Sequence, residues 1–241
     1  QGADAADPCA SALVCERFET FSAGQPPPAP WLTRENGGTV AVDTTRAYSG
    51  SKSVKFTTNT AGSGSFRRAL IGYEGAPLFP AAADHLYGRM MIWLEAAPTG
   101  SVHWTNVQGE GDVPNQSFRA LIRYGGQHDG KLMANYETQG VGSDCWKHSQ
   151  TTIPEKRWAC FEWHFDATKD QMSFWLDGGA IADLTVTAKG SGCISNGTNG
   201  NWYFPTFDRV YVGWEHYQQT SQRTMWIDDV AFSNQRIGCP P

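Results

Sequence analysis

Thr224-Met-Trp-Ile-Asp-Asp-Val-Ala-Phe232, preceded across a polar loop by Val212-Gly-Trp-Glu-His-Tyr217, decides the class of this chain. Both runs are short, aromatic and β-branched, and neither repeats at a helical period. The same habit recurs upstream with period two. Between 158 and 165, Ala159, Phe161, Trp163 and Phe165 alternate with Trp158, Cys160, Glu162 and His164. Between 118 and 124, Ala120, Ile122 and Tyr124 alternate with Arg119, Leu121 and Arg123. Val54 and Phe56 share a face, and 86–94 is apolar enough for a central strand buried on both sides. Gln171-Met-Ser-Phe-Trp-Leu176 runs into Asp-Gly-Gly, a tight hairpin in which glycine supplies positive φ. No helical period persists over three turns. The expected fold is all-β, a two-sheet β-jelly roll sandwich with long cleft-lining loops.

Length and composition fit that expectation. A chain of 241 residues with 26 glycines, ten tryptophans and 18% charged residues is one large, turn-rich β domain. Residues 1–16 are expected to be an arm tied by a small disulfide loop, and 17–241 the single sandwich domain. Gln25-Pro-Pro-Pro-Ala-Pro30 cannot continue a ladder and is a connector. Segments 60–85, 139–156 and 188–206 read as long Gly/Ser/Asn-rich connections of the kind that line a site.

Charge and cysteine content bound the function. A net charge of −5 with no basic stripe argues against a nucleic-acid partner. No run approaches the ~20 apolar residues of a membrane helix. The six cysteines, at 9, 15, 145, 160, 193 and 239, lack zinc-ligand spacing and read as three disulfides in an oxidising compartment. Six cysteines allow fifteen pairings, of which the expected set is Cys9–Cys15, Cys145–Cys193 and Cys160–Cys239. The small-residue start, Gln1-Gly-Ala-Asp-Ala-Ala, reads like a mature terminus left by cleavage, so the chain is expected to be secreted.

Several side chains carry chemistry in this frame. Arg119 and Arg123 share a strand face that runs towards Gln127, and a guanidinium fork suits the carboxylate of a uronic acid. The competing reading is a solvated face laced with ion pairs. His103 and Tyr217 are the candidate proton-transfer groups; each is equally at home as filler in an aromatic sandwich. Trp175 and Trp214 are either sugar platforms or core. Glu110, Asp112, Glu137, Glu162 and Glu215 leave a carboxylate-pair hydrolase open, with no spacing that selects two of them. Glu19, the turn Ser49-Gly-Ser-Lys-Ser53 and Asp228 offer the oxygen donors that calcium takes, against an ordinary turn and a solvated acidic pair.

A family resemblance weighs on these choices. Gly37-Gly-Thr-Val-Ala-Val-Asp-Thr-Thr45, Tyr48-Ser-Gly-Ser-Lys-Ser53, Arg123-Tyr-Gly-Gly-Gln127, Cys160-Phe-Glu-Trp-His164, Trp175-Leu-Asp-Gly178, Gly213-Trp-Glu-His-Tyr217 and Trp226-Ile-Asp-Asp229 are its motifs. They resemble the fungal cellulose-induced secreted protein family of plant-biomass degraders and its bacterial homologues, relatives of glucuronan and alginate lyases. The resemblance implies a jelly roll with a polysaccharide cleft and one structural calcium, ligated at Glu19, Ser49, Lys52 and Asp228, the middle two partly through carbonyls. It aligns Arg123, Gln127, His103 and Tyr217 with cleft positions, and Cys160–Cys239 with a family disulfide. Leu121 stands where the fungal proteins carry a histidine, so no base role passes to that position.

The combined expectation is a polysaccharide lyase that cleaves a uronate-containing glycan by β-elimination, with His103, Arg123, Gln127 and Tyr217 catalytic. Arg119, Asn135, Tyr136 and Glu215 are the expected substrate contacts. A non-catalytic carbohydrate-binding accessory protein of biomass breakdown is the alternative. Polysaccharide is the expected partner, Ca2+ the expected structural ion, and monomer the expected state. Arg123→Ala is expected to abolish turnover while leaving the melting temperature nearly unchanged.

Overall fold

The computed structural model describes residues 9–62, 64–188 and 200–240. Among these residues every regular element is a strand except one 3-10 turn at Ala182–Leu184, and no helix is long and apolar enough to cross a membrane. Two antiparallel sheets face each other. In spatial order the first holds β13 (Gly179–Ala180), β12 (Gln171–Leu176), β11 (Trp158–Asp166), β6 (His85–Leu94), β16 (Arg223–Ser233), β4 (Ser53–Thr58) and β3 (Gly38–Asp43). β1 (Val14–Glu16) pairs with the far half of β16, and β14 (Val186–Thr187) with β12. The second sheet runs β10 (Asp144–Thr152), β9 (Lys131–Thr138), β8 (Arg119–Gln127), β7 (Trp104–Asp112), β15 (Thr206–His216), β5 (Arg67–Glu74) and β2 (Leu32–Asn36).

The alternation read from sequence sets the core. Ala159, Phe161, Trp163 and Phe165 of β11 and Ala120, Ile122 and Tyr124 of β8 all lie in the buried apolar layer between the sheets. Strand β6 is central, bracketed by β11 and β16. The Trp104 and Trp214 rings stack at 5.8 Å in that layer, and Trp214 is core rather than a sugar platform. Trp175 lies under the Arg236 guanidinium, 4.4 Å from its ring centre. The Leu176 hairpin turns through Asp177 and Gly178 at φ 50 and 79, the positive pair that a two-residue β-turn needs.

Three expectations change. Segments 60–85 and 139–156 are not simply connections, because β5 and β10 lie inside them as inner and edge strands of the second sheet. Their alternation is masked in sequence by flanking Gly, Ser and Pro. The third segment falls largely outside the described residues. The expected N-terminal arm is tied down, with Val14, Cys15 and Glu16 registered against Phe232, Ala231 and Val230. Cys9–Cys15 and Cys160–Cys239 are formed, the latter with Cα atoms 5.9 Å apart. The expected partner of Cys145, Cys193, lies outside the described residues.

Candidate functional site

The second sheet's outer face is polar yet buried. Gln108 and Glu110 of β7, Arg123 of β8, Asn135 of β9 and Glu215 of β15 are all at most 4% exposed. Desolvating so many polar groups is costly unless they satisfy one another, and here they largely do, the Asn135 Oδ1 excepted. Register supplies the contacts: Gln108 lies opposite Arg123, Arg123 opposite Asn135, and Glu215 opposite Arg68. Arg123 is the hub. Its Nε donates to Gln108, its Nη1 to the Glu137 carboxylate, and its Nη2 lies 4.0 Å from Glu215. Glu215 also accepts from Arg68 Nε and from the Tyr217 hydroxyl. Arg34 grips Glu110 with both Nη atoms, at 2.5 and 3.3 Å, and stacks over Tyr211.

His103 reaches this face through a β-bulge. The register of β7 slips between Thr105 and Val107, so Asn106 and Val107 both turn inward. That extra residue inverts the alternation and puts His103 on the same face as Gln108 and Glu110. The His103 carbonyl accepts the Tyr217 N–H at 3.0 Å, its own N–H donates to Gln218, and the two rings sit 5.0 Å apart. Its Nε2 is buried without a hydrogen-bond partner. Burial, reinforced by the Arg123 charge and opposed by Glu215, pushes the imidazole down to about 4. Burial pushes the Tyr217 hydroxyl up, and Glu215 reinforces it against the pull of Arg123. Burial alone would raise Glu215, but Arg123 and Arg68 hold it below the usual carboxylate range.

Two hollows flank the His103–Tyr217 pair. One, about 160 Å³, is lined by His103, Gln127, Asp144 and Trp146. The other, about 420 Å³, is lined by Phe66, Arg68, Leu121, Arg123, Glu137 and Tyr217. A row of hollows along a sheet face suits an extended ligand. Gln127 opens on the first hollow, its Oε1 3.1 Å from His148 Nε2.

The structure thus brings His103, Arg123, Gln127, Tyr217, Glu215 and Asn135 to one face. Asn135 orients Asp144 through a 2.7 Å hydrogen bond. Arg119 stands further along β8, clamped by Asp112 and Asp208 at 2.9 and 2.7 Å. Tyr136 corrects an expectation: alternation on β9 turns it into the core, where it stacks on Trp202. Arg34, Arg68, Gln108, Trp146 and His148 were not singled out from sequence, since each is joined to the site by strand pairing, over 76 and 147 residues for Arg34 and Arg68.

The four expected metal positions also cluster, in a different arrangement. Lys52 Nζ donates to the carbonyls of Glu19 and Phe21 at 2.7 and 2.8 Å. The Glu19 carboxylate accepts from the Ser51 and Lys52 N–H groups at 2.9 and 2.8 Å. Asp228 accepts from the N–H groups of Tyr48, Ser49 and Asp229. Calcium needs six to eight free oxygens. Here the Glu19 and Asp228 carboxylates accept N–H donors, and the Lys52 ammonium sits on the Glu19 and Phe21 carbonyls beside them, so the cluster does not present the set of free oxygens that the ion takes.

Comparison with known proteins gives the lineage. The Cip1-like core domain of the polysaccharide lyase-like family matches residues 29–235. The chain belongs to that family. Cellulose induced protein Cip1 superposes on this Cip1-like chain with a TM-score of 0.66 at 24% identity, over 94% of this chain and 99% of its own. The endo-β-1,4-glucuronan lyase of Trichoderma reesei superposes at 0.62 with 13% identity, over 93% and 96%. Both likenesses concern the fold. No curated protein matches the chain by sequence.

Proposed function

We propose that this Cip1-like chain is a secreted polysaccharide lyase that breaks a 4-linked uronate bond by β-elimination. The observation that carries it is the unpartnered, buried Nε2 of a neutral His103, packed against Tyr217 and beside Arg123. Arg123 and Gln127 lower the cost of charge on the uronate carboxyl as the C5 proton leaves. His103 Nε2 takes that proton, the electron pair forms the C4–C5 double bond, and the C4–O4 bond breaks. The Tyr217 hydroxyl, kept protonated by burial, gives its proton to O4. Glu215 holds that hydroxyl in place through its hydrogen bond. The two formed disulfides fit an oxidising compartment.

The surroundings of the site narrow the polymer. Arg34, Arg68, Arg119 and Arg123 are each already paired with a carboxylate, and Asp144 adds a further acid to the same face. A polyuronate, charged at every sugar, would meet an acidic surface on which Arg123 is left for one carboxylate, since its partner Glu137 is 42% exposed and can turn to water. A heteroglycan in which one uronate is flanked by neutral sugars suits it better. The same pairing favours the second reading, a neutral-glycan binding module without turnover, in which Leu121 adds apolar floor.

The test is ultraviolet absorbance of unsaturated products on glucuronan, alginate and heteroglycans with alternating main-chain uronate. Product from the heteroglycans is expected; retention on neutral glycan without product on any of them would establish the binding module instead. The pH profile is a second check. A base must be unprotonated, so the rate should fall only as pH drops through about 4, the His103 value, rather than through 6.5. The tyrosine acid keeps its proton beyond its ordinary range, so no alkaline loss is expected below it. An acid limb near 6.5 would remove buried His103 from the base role.

A further inference from the structure

We infer that the Lys52 ammonium, seated on the Glu19 and Phe21 carbonyls, is the resident cation beside the 48–52 turn, and that this chain ties the turn to Glu19 and Asp228 through N–H donors, without calcium. The cluster is a place where charge must be balanced. Asp228 is fully buried and Asp229 is 3% exposed, both on β16, and Glu19 reaches across to the turn. The segment that enters β4 is drawn against β16 through these groups: Tyr48 and Ser49 give their N–H groups to Asp228, at 2.8 and 3.1 Å. Ser49 Oγ donates to Asp229 at 2.6 Å.

Two features make this a lysine site rather than an ion site. First, the ammonium is bound as a ligand, by two main-chain carbonyls from one loop, Glu19 and Phe21, at 2.7 and 2.8 Å. Those oxygens are what a hard cation would take, and a four-carbon stem now delivers a single charge to them. Second, the turn is moulded to the carboxylate. Gly50 has φ +62, and a Cβ there would lie 2.5 Å from Glu19 Oε1, so the backbone approaches the anion as closely as it can. The N–H groups of Ser51 and Lys52 then point at Glu19 as donors, where a metal would need lone pairs. Arg17, 3.8 Å from Asp229, adds a second internal cation on the β16 side.

The inference is independent of the lyase reading, because its readouts are metal content and melting. Purified protein is expected to carry no stoichiometric calcium by elemental analysis. Its melting temperature should be the same in chelator and in millimolar CaCl2. Lys52→Met keeps the stem and removes the charge; it should melt several degrees lower with or without calcium. Lys52→Asn returns an oxygen donor, and its loss in chelator should be recovered by CaCl2. One calcium per wild-type chain, or a wild-type melting temperature that falls in chelator, would overturn the inference. So would a Lys52→Met protein that melts like the wild type, or a Lys52→Asn protein that ignores calcium. If neither variant folds, the wild-type metal content and chelator response still decide.

Discussion

His103→Gln is expected to lower turnover by ~10²–10⁴-fold, the usual contribution of one positioned proton-transfer group. The melting temperature should barely move. The asymmetry follows from what His103 does in the resting fold. Its main chain makes the bonds that matter locally, to Gln218 and from Tyr217, and any residue can supply those. Its Nε2 makes none, so an amide there sacrifices no hydrogen bond. The amide cannot accept a proton at any useful pH, however. Tyr217→Phe should cost a similar factor, since Glu215 keeps Arg68 and Arg123 as partners when the hydroxyl goes. Because the two groups act on one transition state, the double variant should lose much less than the product of the single losses. A substrate deuterated at C5 should show a primary isotope effect in the wild type. Near-normal turnover by His103→Gln would sink the assignment.

How much of this was visible in the chain alone depends on the range of the interactions. The alternation of Ala120, Ile122 and Tyr124 against Arg119, Leu121 and Arg123 was legible because a pleated strand sorts its side chains locally. The two-sheet fold followed from many such strands. The position of His103 was not derivable from spacing, because one bulge residue at Asn106 inverts the face on which it appears. Tyr136 shows the same rule in reverse: its neighbours Asn135 and Glu137 belong to the cleft, so it cannot. The ion pairs were illegible for another reason. Arg34 meets Glu110 across 76 residues and Arg68 meets Glu215 across 147, and nothing in composition selects those partners. Resemblance placed Lys52 at a metal position, yet the direction of its ammonium is a tertiary fact.

Arg123→Ala should abolish turnover and also lower the melting temperature, in contrast to the stability-neutral outcome expected from an isolated cleft arginine. The guanidinium is 4% exposed and serves three partners at once. Removing one member of a buried pair typically costs 3–5 kcal/mol, chiefly by leaving the other charge uncompensated. Two facts place this case near the lower bound. Arg68 remains on Glu215, and the Glu137 side chain is 42% exposed and can turn to water. About 3 kcal/mol corresponds to a fall of roughly 6–12 °C for a domain of this size. Arg123→Lys separates the two roles. An ammonium restores charge beside Glu215 but not the fork that reaches Gln108 and Glu137 together, so part of the melting loss should return while turnover stays low. Calorimetry and product absorbance on the same three proteins check this. An alanine variant that melts lower yet cleaves normally would leave Arg123 a purely architectural residue. One that melts like the wild type would mean that Glu215 and Glu137 settle onto Arg68 and solvent without cost, and that the hub is dispensable to the fold.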